Sequence, residues 1–305
     1  MRKQIACPQM LMLVLLAVGA WGQDEVTFIA GVKVVNLLAT VQTKRGDIVR
    51  DLSKDDFVLT EKGRRQAIQY FAQESDLPLT LGLMVDTSMS QEKVLDAEKR
   101  ASFRFLDSVL RENKDKVFVL QFDIAVWVRQ GLTSSRRELE DALSLVDTQT
   151  REDLQRFGGG TLLCDSVVKA AHDIMRGQQG RKAMIILSDG EDVNSHANLE
   201  EAVDAAVRSE TLIYAILFAS SRSLGTGRGV MQRLARDTGG GFYEVSKKQT
   251  IERVYQLIQE ELRSQYSIGY VSDEPVKIPE YRRIQLATKD KTLVVRSRDR
   301  YWAGR

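Results

Sequence analysis

Cysteine is almost missing from this sequence: there are two in 305 residues, Cys7 and Cys164. The first lies in a stretch expected to be removed, which leaves Cys164 alone and excludes an intramolecular disulfide. A chain of this length does not need one, because its core can carry the stability. Cys164 follows Thr161-Leu162-Leu163 and reads as a small buried apolar residue, not a reactive thiol. Histidine is equally scarce. Only His172 and His196 occur, both outside the motifs that carry chemistry, so a general base working near neutral pH has no obvious place. An excess of charge is lacking too. The 44 basic side chains face 42 acidic ones, and loss of Arg2 and Lys3 with the leader brings the two to equality. A neutral chain gives no electrostatic case for nucleic acid or an anionic membrane.

Long apolar runs are also absent, with one short exception. Leu11 to Val18 is continuously apolar, follows Arg2 and Lys3, and precedes Ala20-Trp21-Gly22, which places small residues at 20 and 22. Residues 1–22 therefore read as a secretory signal peptide cleaved before Gln23, too short to span a bilayer. The expected location is periplasmic or secreted, with no membrane span after cleavage.

What is present falls into three stretches. From Val26 to Phe71 short alternating strands are separated by turns at Lys44-Arg45-Gly46-Asp47 and Glu61-Lys62-Gly63-Arg64, the signature of an antiparallel unit. Arg45-Gly46-Asp47 spells an integrin-binding tripeptide, but Gly-Asp here is turn chemistry. From Pro78 to about Arg263 apolar strand-like runs (81–85, 117–122, 183–187 and 212–218) alternate with helical patterns. Val94, Ala97, Ala101, Phe105 and Val109 recur at helical spacing, and Ser135…Glu138 and Asn198…Glu201 match capping boxes. That alternation predicts a doubly wound, mostly parallel α/β sheet covered on both faces. Beyond it the chain turns strand-like again at Tyr266–Tyr270, 283–286 and 292–296. Neither terminal β region has enough strands alone, so the two are expected to pair, with the α/β domain inserted between them. The boundaries drawn are 23–76, 77–265 and 266–305.

The chemistry gathers at strand ends. Asp86-Thr87-Ser88-Met89-Ser90 follows Leu79–Val85, a run suited to a buried parallel strand. Asp189 follows Ile185-Ile186-Leu187-Ser188, and Phe157-Gly158-Gly159-Gly160-Thr161 puts a hydroxyl on a Gly-rich loop before a helix. Ligands of open α/β sheets collect beyond the carboxyl ends of the strands. Two carboxylates and three hydroxyls would meet there, a set of small hard oxygens suited to a cation of the Mg²⁺ kind. Each piece alone is weak, since an Asp or Ser at a helix start is commonly a cap.

Together, Asp86-x-Ser88-x-Ser90, Thr161 and Asp189 resemble the metal-ion-dependent adhesion site of von Willebrand factor type A domains. The resemblance implies that Ser88, Ser90 and Thr161 bind the metal directly and that Asp86 and Asp189 act directly or through water. It implies Mg²⁺, with Mn²⁺ or Ca²⁺ as alternatives, and a sixth position open to water or to an acidic group of a protein partner. Met89 departs from the small residue common there. Val34–Phe71, the run 234–240 and the run 261–266 further resemble an exported bacterial type A-related family common in Acidobacteria. The function this favours is a non-enzymatic, metal-dependent binding module for adhesion or scaffolding. The alternatives are a metal-dependent hydrolase or aspartyl phosphatase using the same site, and a structural domain with a vestigial one. Trp127 and Trp302 read as core or domain-packing residues.

Overall fold

The computed structural model describes residues 34–73, 77–218 and 226–304; the expected signal peptide, with Cys7, lies outside them. The first described strands are β1 (Val34–Thr43), β2 (Phe57–Glu61), β3 (Arg64–Gln66) and β4 (Tyr70–Gln73). The turn after β1 carries Gly46 at a φ of +94°, closed by Thr43 and Asp47, so the Arg-Gly-Asp sequence is a hairpin corner. Then follow β5 (Leu79–Asp86), α1 (Leu95–Val109), β6 (Lys116–Phe122), β7 (Val126–Thr133), α2 (Arg136–Ser144) and α3 (Arg151–Phe157). Next come α4 (Leu163–Lys169), β8 (Arg181–Ser188), α5 (Leu199–Arg208), β9 (Leu212–Leu217), α6 (Thr226–Thr238), β10 (Phe242–Glu244) and α7 (Ile251–Leu262). Four strands close the chain: β11 (Tyr266–Val271), β12 (Glu280–Thr288), β13 (Leu293–Arg296) and β14 (Arg300–Ala303).

The middle section forms one six-stranded sheet in the order β10-β9-β8-β5-β6-β7. All its pairings are parallel except β6 with β7. Every residue of β5, β8 and β9 is buried, which is why these segments read as near-continuous apolar runs instead of alternating ones. One face, with Leu81, Leu83 and Val85, packs on α1, α2 and α7; the other, with Met84, Met184 and Ile186, packs on α4, α5 and α6. The chain leaves β5 for β6 on one side and returns as β8 on the other. The gap between β5 and β8 is therefore the switch point of the sheet, where a crevice opens at the carboxyl ends.

Strands from the two ends of the described chain pair with each other, as expected. β1 lies antiparallel to β11 and β13, and β12 lies antiparallel to β2 and β14. The resulting four-stranded sheets, β13-β1-β11-β4 and β14-β12-β2-β3, enclose a core of Leu37, Phe57, Leu59, Tyr266, Ile268 and Ile284. Beside it Arg282 and Glu61 form a fully buried ion pair, and Glu61 also accepts from Ser272, Tyr270 and Tyr301.

Local details diverge from the sequence pattern in instructive ways. The edge strand β7 and the short β10 carry no clean period, and β7 is register-shifted against β6. Trp127 on β7 is 53% exposed, so it is not the core residue expected. Asn198 and Glu201 form a complete capping box; Ser135 caps α2 at Glu138 N without the return bond. On α1 the buried face carries Glu98 and Ser102 while Ala97 faces out, which rotates the predicted stripe.

Candidate metal centre

Asp86 ends β5 and is buried. Its Oδ1 accepts from Ser88 N (2.9 Å) and its Oδ2 from Ser188 Oγ (2.5 Å). Those two bonds fold the chain sharply after the strand and tie it to the end of β8. The turn is held on its other flank by Thr87, whose N donates to Phe122 O (2.9 Å) and whose hydroxyl donates to Asp123 (2.8 Å). The turn brings the Ser88 and Ser90 hydroxyl oxygens within 3.1 Å of each other. Met89 between them is 41% exposed and, with the two serines, borders a cleft at this end of the sheet.

Thr161 reaches the cleft through the loop after α3. Its N donates to Val193 O (3.0 Å) and its O accepts from Val193 N (2.9 Å), while Leu162 N donates to Asp123 O (2.8 Å). Asp189 directly follows β8, is buried, and accepts from Glu191 N (3.1 Å). Its loop is pressed against α6. A Cβ at Gly190 would lie 2.3 Å from Gly227 O, and one at Gly227 would lie 2.3 Å from Asp189 O. Gly190 also has a φ of +80°, which favours glycine.

Ser88, Ser90, Thr161 and Asp189 line a single cleft of about 930 Å³ at the β5–β8 switch point, with Asp86 buried in the Ser88 turn. The five expected positions are thus gathered at one end of the sheet. Among the described residues neither Asp86 nor Asp189 has a basic partner in an ion pair. Burial, with the Asp189 charge adding to it, pushes the Asp86 carboxyl up to about 7 against the opposing bonds from Ser188 and Ser88. Two uncompensated acids beside paired hydroxyls form a hard, oxygen-only donor set, and a divalent cation is the kind of charge it lacks. Among the described residues no cluster of three or more His, Cys, Asp or Glu has metal-holding geometry. A site here would therefore rest on hydroxyls as much as on carboxylates.

Several supporting residues were not singled out from sequence. Ser188 precedes Asp189 and in the sequence reads only as the end of the strand. Asp123 organises both Thr87 and the Thr161 loop from the end of β6. Glu98 is 1% exposed on α1, neither of its carboxylate oxygens has a hydrogen-bond partner, and burial together with the Asp86 charge holds its carboxyl well above 4.5. An acid placed in the buried stripe of a helix was the available signal. Cys164 is buried, and desolvation pushes its thiol up to about 12, in keeping with a packing role.

No protein-family model matches the chain, and no curated protein matches it. Solved structures do. Proximal thread matrix protein 1 from the mussel byssus superposes with a TM-score of 0.53 at 15% identity, over 67% of this chain and 51% of that one. A second structure of it, with a zinc-occupied metal-ion-dependent adhesion site motif, gives 0.51 at 15% identity, over 67% and 50%. A von Willebrand factor type A protein from Catenulispora acidiphila gives 0.52 at 13% identity, over 90% of this chain and 72% of that one. The chain spans about half the length of the mussel protein. Its six-stranded sheet and flanking helices have the von Willebrand factor type A fold.

Proposed function

We propose that the protein is an exported, non-enzymatic binding module that holds a divalent cation in the cleft and coordinates an acidic group of a protein partner. Ser88, Ser90 and Thr161 supply direct ligands, and Asp86 and Asp189 act directly or through water. The observation that carries this reading is the convergence of four of these side chains on one cleft, with the acid of the fifth buried in the adjoining turn. The zinc-occupied motif of the mussel protein supports a divalent ion on this fold. Mg²⁺ is favoured over zinc because every donor is oxygen, whereas zinc sites draw on Cys and His. When bound, the cation supplies a Lewis-acidic position for a carboxylate oxygen. The protein's own part is geometric. Ser188 and the Ser88 amide orient Asp86, the Val193 pairing orients Thr161, and the Gly190–Gly227 contact fixes the Asp189 loop.

In the same reading residues 1–22 direct export, 77–265 form the type A domain, and 23–76 and 266–305 form the β unit into which it is inserted. This follows from the resemblance to the exported bacterial type A-related family. The test is titration calorimetry of the full chain with MgCl₂. We expect saturable 1:1 binding in the wild type and its loss in Asp86→Ala and Ser90→Ala, both folded by circular dichroism. Unchanged Mg²⁺ affinity in both variants overturns the assignment. Partners recovered from an envelope extract should disappear when EDTA is added.

A further inference from the structure

A cavity of about 280 Å³ opens at the amino-terminal end of the parallel sheet, opposite the cation cleft, and shares no lining residue with it. It lies where β8 and β9 begin, against β1, β11 and the segment joining β13 to β14. The start of β8 is unusual. That strand is buried along its whole length, yet its first two residues are Arg181 and Lys182. Lysine is almost never buried alone, since an ammonium taken out of water needs a counter-charge or acceptors in its place. Arg181 donates to the main-chain carbonyls of Leu77 and Leu262. Lys182 is 7% exposed, and its ammonium has no hydrogen bond or ion pair among the described residues. It stands in register beside Thr80 of β5, on the sheet face that carries Met184 and Ile186.

The charge around this cavity is lopsided. Arg181, Lys182 and Arg298 line it against a single carboxylate, Glu210. That carboxylate is committed to Arg298 at 3.1 Å, and its side chain is 53% exposed. Arg298 is itself buried, and its guanidinium also donates to Asn36 O (2.7 Å) and Val207 O (3.3 Å). Lys182 is thus within electrostatic reach of a second cation whose acid is already taken. Burial pushes the Lys182 amine below its ordinary pKa, against the pull of the Glu210 charge and with the Arg298 charge adding to the fall. A buried cation short of counter-charge, facing an open cavity, marks a place for an anion.

We propose that this cavity is a phosphate site, holding a phosphate dianion, free or as a monoester, between the Lys182 ammonium and the Arg298 guanidinium. A dianion supplies the counter-charge that the one carboxylate does not, and its oxygens accept charge-assisted bonds from both cations. The volume lies just below the range of drug-sized sites, so the group held is small. Lys182 belongs to the α/β sheet and Arg298 to the terminal β unit, so the bound dianion would tie the two together. The site stands apart from the cation cleft and does not rest on that reading.

The experiment is titration calorimetry of the full chain at pH 7.5, at constant ionic strength and in EDTA, with sodium phosphate, methyl phosphate and sodium acetate as probes. We expect saturable 1:1 binding of phosphate at millimolar concentration or below, and acetate, with one charge, to bind at least about tenfold more weakly. Lys182→Met keeps the buried stem and drops the charge, so it should fold and lose at least about tenfold in phosphate affinity. Glu210→Gln releases Arg298 from its acid and should bind phosphate at least as tightly as the wild type. Methyl phosphate binding as tightly as phosphate supports an ester-borne group, and its exclusion with phosphate retained supports the free anion. A wild type with no saturable phosphate binding at millimolar concentrations overturns the proposal. So does acetate bound as tightly as phosphate, an unchanged affinity in Lys182→Met, or a weakened one in Glu210→Gln.

Discussion

Ser188 Oγ lies 2.5 Å from Asp86 Oδ2, joining the last residue of β8 to the last residue of β5. The bond crosses the switch point of the sheet, where the two strands are neighbours in space but are separated by two further strands and four helices in sequence. It fixes the orientation of a buried acid that has no basic partner among the described residues. The Ser188 oxygen in turn accepts from Gly190 N (2.9 Å). One hydroxyl therefore couples the Asp86 turn to the Asp189 loop.

Replacing Ser188 by Ala removes that coupling while leaving every proposed cation ligand in place. The effect expected is that of losing an outer-shell orienting group, a fall in Mg²⁺ affinity of roughly 10- to 100-fold. Calorimetric titration of Ser188→Ala against the wild type checks it. Equal affinities would mean that the Asp86 orientation does not depend on this bond.

In the proposed site, protons would compete with the cation at Asp86. Its folded, cation-free carboxyl lies at about 7, so at pH 8 it is ionised and available, and at pH 6 it holds a proton that the cation must displace. Apparent Mg²⁺ affinity is therefore expected to be roughly tenfold weaker at pH 6 than at pH 8, with net proton release on binding at pH 7. Calorimetry in buffers of different ionisation enthalpy measures both quantities. A flat pH profile would place the Asp86 acid well below this range, and hence in a less desolvated setting.

The α/β sheet was legible because its strands are buried on both faces. Leu79–Val85, 117–122, 183–187 and 212–217 are short, near-continuous apolar runs without alternation, the pattern expected of strands buried on both faces. The pairing of the terminal strands followed from there being too few of them on either side. β7 was not legible: an exposed, bulged edge strand carries neither period, and Trp127 on it faces solvent. The five candidate ligands could be found as short motifs at strand ends. The residues that hold them were hidden for a common reason. Ser188, Asp123 and Gly227 act through contacts across the sheet and across long stretches of chain, which no local spacing encodes. Glu98 was hidden differently, because an acid in a helix reads as solvated face until packing turns it inward.

Gly227 is the position where that hidden support can be probed sterically. A Cβ there would sit 2.3 Å from Asp189 O and 2.9 Å from Gly190 C, both backbone atoms that cannot rotate aside. Gly227→Ala should therefore push the Asp189 loop away from α6. The expected cost is about 1–3 kcal/mol of stability, in the manner of overpacking, together with a loss of Mg²⁺ affinity. Urea denaturation and Mg²⁺ titration read the two effects. Gly229→Ala, on the same helix turn with no atom within 4 Å of the added carbon, should change neither.

Glu98 offers the clearest stability effect. Its carboxylate is buried without a hydrogen-bond partner, and its folded pKa is raised well above the ordinary 4.5 by desolvation, with the Asp86 charge adding to it. Below pH 4.5 the folded and unfolded chains both carry the proton, so the group costs nothing through ionisation. As pH rises from there the unfolded chain ionises freely while the folded one does not, and stability falls until the folded pKa is passed. Glu98→Gln removes the ionisation and keeps the shape. The variant should match the wild type near pH 4 and exceed it by about 1–3 kcal/mol at pH 7.5, the size of a buried polar penalty relieved. Paired urea melts in EDTA at the two pH values test this, because other titrating groups are common to both proteins and cancel. A gain that is the same at both pH values would assign the effect to packing on α1 and not to the charge.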